Sequence, residues 1–204
     1  AHCPERVNPG DPHWHVGNIP RVVGGIDEAA ASMAFDFYSA LIDANVKKLN
    51  SIRSAEATKV LENIFRDVNI ALMNEMAQAF YRMDIDVVEV IQAASTKPFA
   101  FMPHWPGVGV GGHCIAVDPW FIVDAAPDLA RLIRTAREVN DSKPHYVIER
   151  IKKSARQFQS PVIACLGLAF KPDVDDLRES PATEIVLHLL DDKVGRLIVV
   201  EPHV

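Results

Sequence analysis

Three cysteines in 204 residues, Cys3, Cys114 and Cys165, are too few for a disulfide framework, and an odd number cannot all pair. That scarcity points to free thiols in a reducing compartment, and we read the chain as cytoplasmic. Long apolar runs are missing too. The longest, Pro161 to Phe170, is about half of the ~20 residues that a membrane-spanning helix requires. No basic segment followed by an apolar one opens the chain, so nothing in it reads as a secretory leader. Positive charge is scarce as well. With 21 Lys and Arg against 27 Asp and Glu the formal charge is -6, and no basic stripe stands out. A nucleic-acid footprint is thereby excluded, and any anionic ligand must be held locally. What is present is apolar: 49% of the residues, enough to bury a core and to exclude intrinsic disorder. The length suits one large domain or two small ones.

The first segment, Ala1 to Gly25, is rich in Pro, Gly and His and offers one strand, Arg21 to Ile26. It opens abruptly, without an initiator Met, and reads as the trailing edge of a domain whose front half lies elsewhere. From Asp27 onward Ala, Leu, Glu and Met take over, and the pattern predicts helices over Asp27 to Ala44, Ser54 to Met83 and Ile85 to Ala94. Ser54 is the expected N-cap of the long middle helix. At about 100° per residue Val60, Ile64, Val68, Ala71, Leu72 and Ala79 gather on one arc. Lys59, Asn63, Arg66 and Asn74 fall on the other, expected to be wet. Residues Thr96 to Gly112 hold Pro98, Pro103, Pro106 and four glycines and read as a loop. Loops beyond about 12 to 15 residues are uncommon in compact domains unless they bind something, so this one is a candidate site. A helical region over Pro127 to Gln157 is expected to break at Asn140 to Pro144. Val162 to Gly167 and Leu197 to Val200 read as strands separated by a helix from Ser180-Pro181 to about Leu190, a βαβ unit that opens a doubly wound sheet. The expected fold is α-rich with α/β ends: residues 1–27 edge one domain, 28–157 form a central helical domain, and 158–204 begin a Rossmann-like parallel α/β domain.

Gly107-Val108-Gly109-Val110-Gly111-Gly112 satisfies G-x-G-x-x-G, but its context refuses the dinucleotide-binding reading. That fingerprint needs a strand before it and a helix after it, whereas Pro103 and Pro106 precede and Asp118-Pro119 soon follows. Either the segment is a plain turn, or Gly107, Gly109 and Gly111 let the backbone hug a ribose or phosphate. Cys114 comes directly after. A lone Cys is usually inert core, yet at the lip of a glycine-rich loop, with the Asp118 carboxylate four residues on, it is also a candidate nucleophile. His113 does not make this a metal site, because neighbours on an extended chain face opposite ways and no second Cys/His pair lies at zinc spacing; we expect no metal. Lys59 and Asn63, at i and i+4, are either the wet side of an amphipathic helix or a pair that donates jointly to a developing oxyanion. Lys171 and Arg178 flank the acidic stretch Asp173 to Asp176 on the loop after the first strand of the βαβ unit. Open parallel sheets bind ligands there, so surface salt bridging and a phosphate site are the two readings.

Four motifs in one order carry a family resemblance. They are Cys3-Pro4-Glu5-Arg6-Val7, then Ala55-Glu56-Ala57-Thr58-Lys59 through Asn63 to Asn74-Glu75, then Pro106-Gly107 through Gly112-His113-Cys114 to Asp118-Pro119, then Phe170-Lys171-Pro172-Asp173 through Asp176-Leu177-Arg178-Glu179-Ser180-Pro181. Together they resemble the nucleotide-sugar 6-dehydrogenases, the UDP-glucose/GDP-mannose dehydrogenase family, over essentially the whole chain. Arg66 to Ala71, His113 to Ile122 and Ala130 to Glu138 look most like the branch that acts on UDP-N-acetyl-D-mannosamine. Lys97 to Pro103, and Gly10 to Pro12 through Asn18 to Arg21, look closer to the UDP-N-acetylglucosamine branch.

The resemblance implies part of an oxidoreductase that takes C6 of a nucleotide sugar from alcohol to carboxylate in two NAD-dependent steps. UDP-N-acetyl-D-mannosamine is the first candidate substrate, UDP-N-acetylglucosamine and UDP-glucose the alternatives. It further implies that Cys114 traps the aldehyde as a thiohemiacetal that becomes a thioester, that Lys59 and Asn63 stabilise oxyanions, that Asp118 activates water, and that Glu5 lines the site. Arg6, Val7, Arg66, Gly107, Gly109 and Gly111 are then expected to hold the nucleotide sugar, Lys171 its pyrophosphate, and Arg178 the NAD phosphates. On this view the main NAD-binding domain lies outside the chain, residues 1–27 are its trailing edge, and 158–204 begin a UDP-binding domain. The long helix would pack against its twin in a homodimer, and the piece alone is expected to be inactive. Two rivals remain: a non-catalytic nucleotide-sugar-binding or dimerisation module with a structural Cys114, and an NAD binder that uses Gly107 to Gly112.

Overall fold

The N-terminal region holds a small parallel sheet where its alternation suggests a single strand. A computed structural model describes residues 1–8 and 11–202, and the chain divides into two units, Ala1–Asn63 and Ile64–Val204. Gly10, part of one branch-specific segment, lies outside the described residues, as do His203 and Val204 at the end of the expected last domain.

The first unit contains β1 (Arg21–Gly24), α1 (Glu28–Leu41), β2 (Val46–Leu49) and the start of α2 (Ile52–Arg82). The two strands pair in parallel, from Arg21 opposite Val46 to Gly24 opposite Leu49, so α1 is a crossover and a βαβ unit stands here too. Sequence pattern misses β2 because Lys47 and Lys48 occupy its centre and stay exposed. Asp27 starts α1: its side chain accepts the Ala30 N–H at 2.8 Å and satisfies one of the donors that a first turn leaves over. The helix ends at Leu41 rather than Ala44 because the chain must extend to pair with β1; Asp43 already donates its N–H to the Gly17 carbonyl at 2.8 Å. Ser51, not Ser54, caps α2, its Oγ accepting the Ser54 N–H at 3.0 Å.

The second unit holds the rest of α2, then α3 (Val87–Ala94), α4 (His113–Ala125), α5 (Arg131–Ala155), β3 (Val162–Leu166), α6 (Pro181–Asp191) and β4 (Arg196–Val200). β3 and β4 are parallel, Val162 opposite Arg196 and Leu166 opposite Val200, with α6 between them as the expected βαβ unit. Ile148 of α5 packs on Ile185 and Leu189 of α6, with Val147, Ile151, Val194 and Leu197 around them. Burying one such aliphatic side chain contributes roughly 1.5–3 kcal/mol. The chain as a whole is α-rich with short parallel strands.

Three expectations change. α5 runs unbroken through Asn140 to Pro144. An interior proline costs about 3 kcal/mol in propensity, and the tertiary contacts of the buried Asn140, Lys143 and Pro144 offset it. Residues 113–125 form a helix despite Pro119, whose ring is fully buried. Finally, α2 turns its polar residues inward: Asn63, Asp67, Ala71 and Asn74 lie on one buried stripe, while Leu61, Phe65 and Leu72 are 66%, 47% and 50% exposed. Asn63 and Asn74 therefore do not belong to a wet face. Hydrogen bonds that Asp67 and Asn74 make to α5 explain the inversion in the second unit.

Candidate active site

In the first unit Glu5 follows the buried Pro4. Its Oε1 accepts the backbone N–H groups of Arg6 and Val7, each at 2.7 Å, and Nη1 of Arg21 at 3.1 Å. Burial pushes this carboxyl up, but the Val7 and Arg6 amides and the Arg21 guanidinium outweigh it and hold it below its ordinary 4.5. Arg6 reaches α2. Its Nη2 lies 2.6 Å from Glu62 Oε1 and its Nε 3.4 Å from Oε2, while Nη1 donates to the Pro20 carbonyl at 2.9 Å. Glu62 shares a helical stripe with Lys59 and adjoins Asn63, so this pair ties Cys3 to Val7 to the turn of α2 that carries both. Lys59 is half-buried and Asn63 buried. No local pattern in the sequence marks Glu62, because its partner stands 56 positions away.

In the second unit the glycine loop and α4 present the thiol. A Cβ on Gly111 would stand 2.6 Å from Phe170 Cβ and 2.8 Å from the Glu179 carbonyl, so only glycine lets the loop approach the segment Phe170 to Pro181 this closely. Gly112, at φ 82°, is the N-cap of α4, and His113 and Cys114 are the first residues inside the helix. The extended backbone expected around them is therefore absent. On a helix Asp118 returns to the face of Cys114 one turn later. The Cys114 thiol is exposed. Backbone N–H groups of a first turn have no helical acceptor, so they are available to an anion next to it.

Arg178 is exposed, and Asp176 takes its Nε at 2.9 Å and its Nη2 at 2.6 Å. The bond to Asp176 pushes the guanidinium up. In return, the side-chain and backbone donors of Arg178 pull the Asp176 carboxyl down to about 2. Lys171 stands at the C-terminal ends of β3 and β4, where with Gly167, Asp173, Val174 and Glu201 it lines a cleft of about 370 Å³. Glu201 was not a sequence candidate. Its Oε2 accepts the N–H groups of Leu168 at 2.6 Å and Ala169 at 3.0 Å and so shapes the loop that follows β3. Its position just past β4, at the ligand-binding end of a parallel sheet, is the signal that could have found it. A larger cleft of about 450 Å³, lined by Val110, Ala116, Arg137, Asn140, Ser180 and Glu184 among others, contains none of the candidate residues.

Of the residues present, Arg178 fits a dinucleotide phosphate: it is exposed, and its pairing with Asp176 leaves Nη1 for an anion. Gly107 to Gly112 does not fit the pyrophosphate turn. A helix does follow it, contrary to the expectation drawn from Asp118-Pro119, but among the described residues no strand leads into it. Among those residues no group of three His, Cys, Asp or Glu side chains could hold a metal ion, and no helix is long and apolar enough to cross a membrane.

This arrangement has counterparts. The model of the UDP-glucose/GDP-mannose dehydrogenase family, central domain, matches residues 53–142, and that of the same family's UDP binding domain matches residues 164–204. The chain belongs to the UDP-glucose/GDP-mannose dehydrogenase family. Over 204 residues it is 50% identical to the NDP-N-acetyl-D-galactosaminuronic acid dehydrogenase of Ralstonia solanacearum, all of this chain against 48% of that protein. It is 48% identical to the UDP-N-acetyl-D-mannosamine dehydrogenase of Campylobacter jejuni, all of this chain against 50% of that one. A solved structure of the UDP-N-acetyl-mannosamine dehydrogenase from S. aureus superposes with a TM-score of 0.88 at 39% identity, covering 100% of this chain and 48% of that one. The chain thus spans about half the length of the relatives it matches. The central-domain match takes in Lys59, Asn63, Cys114 and Asp118, the UDP-binding match Lys171 and Arg178, and Glu5, Arg6 and Val7 precede both.

Proposed function

We propose that the complete protein carrying this chain is an NAD-dependent nucleotide-sugar 6-dehydrogenase that oxidises UDP-N-acetyl-D-mannosamine to the uronic acid. One observation carries the reading: an exposed free cysteine at the start of α4, directly behind Gly112, with Asp118 on the same helix face. NAD, when bound, supplies the hydride acceptor for both oxidations. Between them the Cys114 sulfur bonds to C6 and keeps the half-oxidised sugar on the protein as a thiohemiacetal. After the second, water attacks the resulting thioester, the C–S bond breaks, and the proton left by water passes to Asp118 while the sulfur leaves as thiolate. The place of Asp118 on the Cys114 face of α4 supports that role.

Lys59 and Asn63 are assigned to oxyanion stabilisation, a joint part that their i, i+4 spacing on α2 supports. Glu5 is assigned to the lining of the catalytic site near the thioester, Val7, Arg66 and the Gly107, Gly109 and Gly111 backbone to the nucleotide sugar, Lys171 to its pyrophosphate and Arg178 to an NAD phosphate. The donors of Arg6 engage Glu62 and Pro20, which favours an indirect part for it: holding the segment Cys3 to Val7 in place. We assign a homodimer to α2 on the strength of its exposed Leu61, Phe65 and Leu72. Three free cysteines suit the cytoplasm.

Cys114→Ala in the complete protein is expected to lower UDP-sugar-dependent NADH formation at least ~10²-fold. A rate within about threefold of wild type removes the thiol from the mechanism. UDP-N-acetyl-D-mannosamine, UDP-N-acetylglucosamine, UDP-glucose and UDP-N-acetylgalactosamine should be assayed side by side, the last because the Ralstonia relative is named for a galactosaminuronic acid.

A further inference from the structure

Five polar residues without a role above are buried together in the second unit: Asp67 and Asn74 of α2, and Arg137, Asn140 and Lys143 of α5, none more than 5% exposed. Buried polar groups hold together through hydrogen bonds, and here the sense of each bond can be worked out. Arg137 Nη1 donates to Asp67 Oδ1 at 2.6 Å, and Asn140 Nδ2 donates to the same oxygen at 2.8 Å and to the Asp67 carbonyl at 3.1 Å. A carboxylate paired with arginine only accepts, so Asn140 must turn its NH2 toward Asp67 and its oxygen away. That oxygen accepts Nδ2 of Asn74 at 2.9 Å. Asn74 is thereby left with its own oxygen free to accept, and it accepts the backbone N–H of Gly107 at 2.9 Å. Within this cluster the buried atoms without a hydrogen-bond partner, Asp67 Oδ2 and Arg137 Nε, sit at the ion-pair end of the relay, and the amide end is complete. Further along, Gly111 is wedged against Phe170 and the Glu179 carbonyl. The loop is therefore anchored at both ends, and Cys114 follows the second anchor.

We propose that Asn74 is a positioning residue: its oxygen, oriented by the Asp67–Asn140 relay, holds Gly107 and so fixes the path of the loop that binds the nucleotide sugar and leads to Cys114. The identity of the loop's ligand rests on the function proposed above; the anchoring does not.

The test uses the complete protein. In wild type, the Gly107 amide is expected to exchange its hydrogen at least about tenfold more slowly than the Gly109 amide, after correction for intrinsic rates. Equal rates overturn the proposal before any variant is made, so it stays falsifiable even where a substitution prevents folding. Asn74→Ala is expected to speed exchange across Gly107 to Gly112 about tenfold and to raise KM for the nucleotide sugar about tenfold, with kcat within about threefold. Asn74→Asp keeps an acceptor for Gly107 but, as a carboxylate, sets an oxygen against the Asn140 oxygen in place of the Nδ2 donor, so the relay no longer orients it. This variant is expected to leave KM raised and loop exchange fast, as in Asn74→Ala, and a wild-type KM with slow exchange overturns the orienting part of the relay. Asn69→Ala is the control, since that side chain donates to the Phe65 carbonyl within α2 and should leave loop exchange and KM unchanged. A purely structural part for Asn74 lowers the melting temperature and leaves KM and loop exchange of the folded protein alone; that result overturns the proposal, as does faster loop exchange at constant KM. Absence of NADH formation in wild type with every UDP-sugar counts against the functional reading instead, and the exchange measurements still decide whether Asn74 anchors the loop.

Discussion

Gly112 is the residue on which the geometry of Cys114 turns. At φ 82° it starts α4 just ahead of the thiol, and a Cβ there would meet the Phe170 ring at 3.0 Å. Gly112→Ala is expected to cost about 1–3 kcal/mol from the positive-φ backbone alone, a conformation that is essentially glycine-only, read as a lower melting temperature. Asp67 is the other sensitive position. Burial pushes its carboxyl up against the pull of Arg137 and Asn140, and Asp67→Ala leaves Arg137 buried without its inner counter-ion. Removing one partner of a buried pair costs about 3–5 kcal/mol in denaturant unfolding. Asp141, 52% exposed, still pairs with Arg137 and keeps the loss toward the lower end. Asp176 makes a pH prediction. Its folded value is depressed from the ordinary 3.8 to about 2, so its pair with Arg178 stabilises the loop above the ordinary value and is lost as pH falls from there through about 2. A carboxyl titration followed by NMR should place its midpoint near that lower value, and a midpoint at the ordinary 3.8 would show that Arg178 does not hold it.

At the level of elements, Leu189 is fully buried between α5 and α6, and Leu189→Ala is expected to destabilise the second unit by about 2–5 kcal/mol through the cavity it leaves. The helices α2, α3 and α6, the glycine loop, and the βαβ order at the C-terminal end were legible because their signals are local: periodicity, Ser-Pro at a helix start, and clustered Gly and Pro; the continuity of α5 through Pro144 was not. β2 was not, because Lys47 and Lys48 hide a strand that exists only by pairing with β1. α4 was not, because Asp118-Pro119 reads as a breaker while the burial of the Pro119 ring keeps the helix intact. Among the candidate site residues, Cys114 and Asp118 stand out by their proximity in the chain, whereas Glu62, Asn74 and Glu201 make hydrogen bonds to partners that no short window contains.

For the whole molecule, the exposed Leu61, Phe65 and Leu72 follow one another at helical spacing along α2, an apolar stripe that a second copy of the chain is expected to cover. Light scattering should give twice the chain mass, and a Leu61→Glu, Phe65→Glu double variant should shift it to one. A monomeric wild type would leave that stripe without its expected partner.

By itself the sequence determined the approximate extents of α2, α3 and α6, the place of the glycine loop, the parallel C-terminal pair of strands and the spacing of Cys114 and Asp118, since each depends on residues near one another in the chain. The tertiary structure alone decided which face of α2 is buried. An asparagine or aspartate leaves water at a cost unless a partner meets it, and for Asp67 and Asn74 the partners arrive from α5, 66 to 73 positions away. Periodicity cannot count a hydrogen bond whose other half lies that far along the chain.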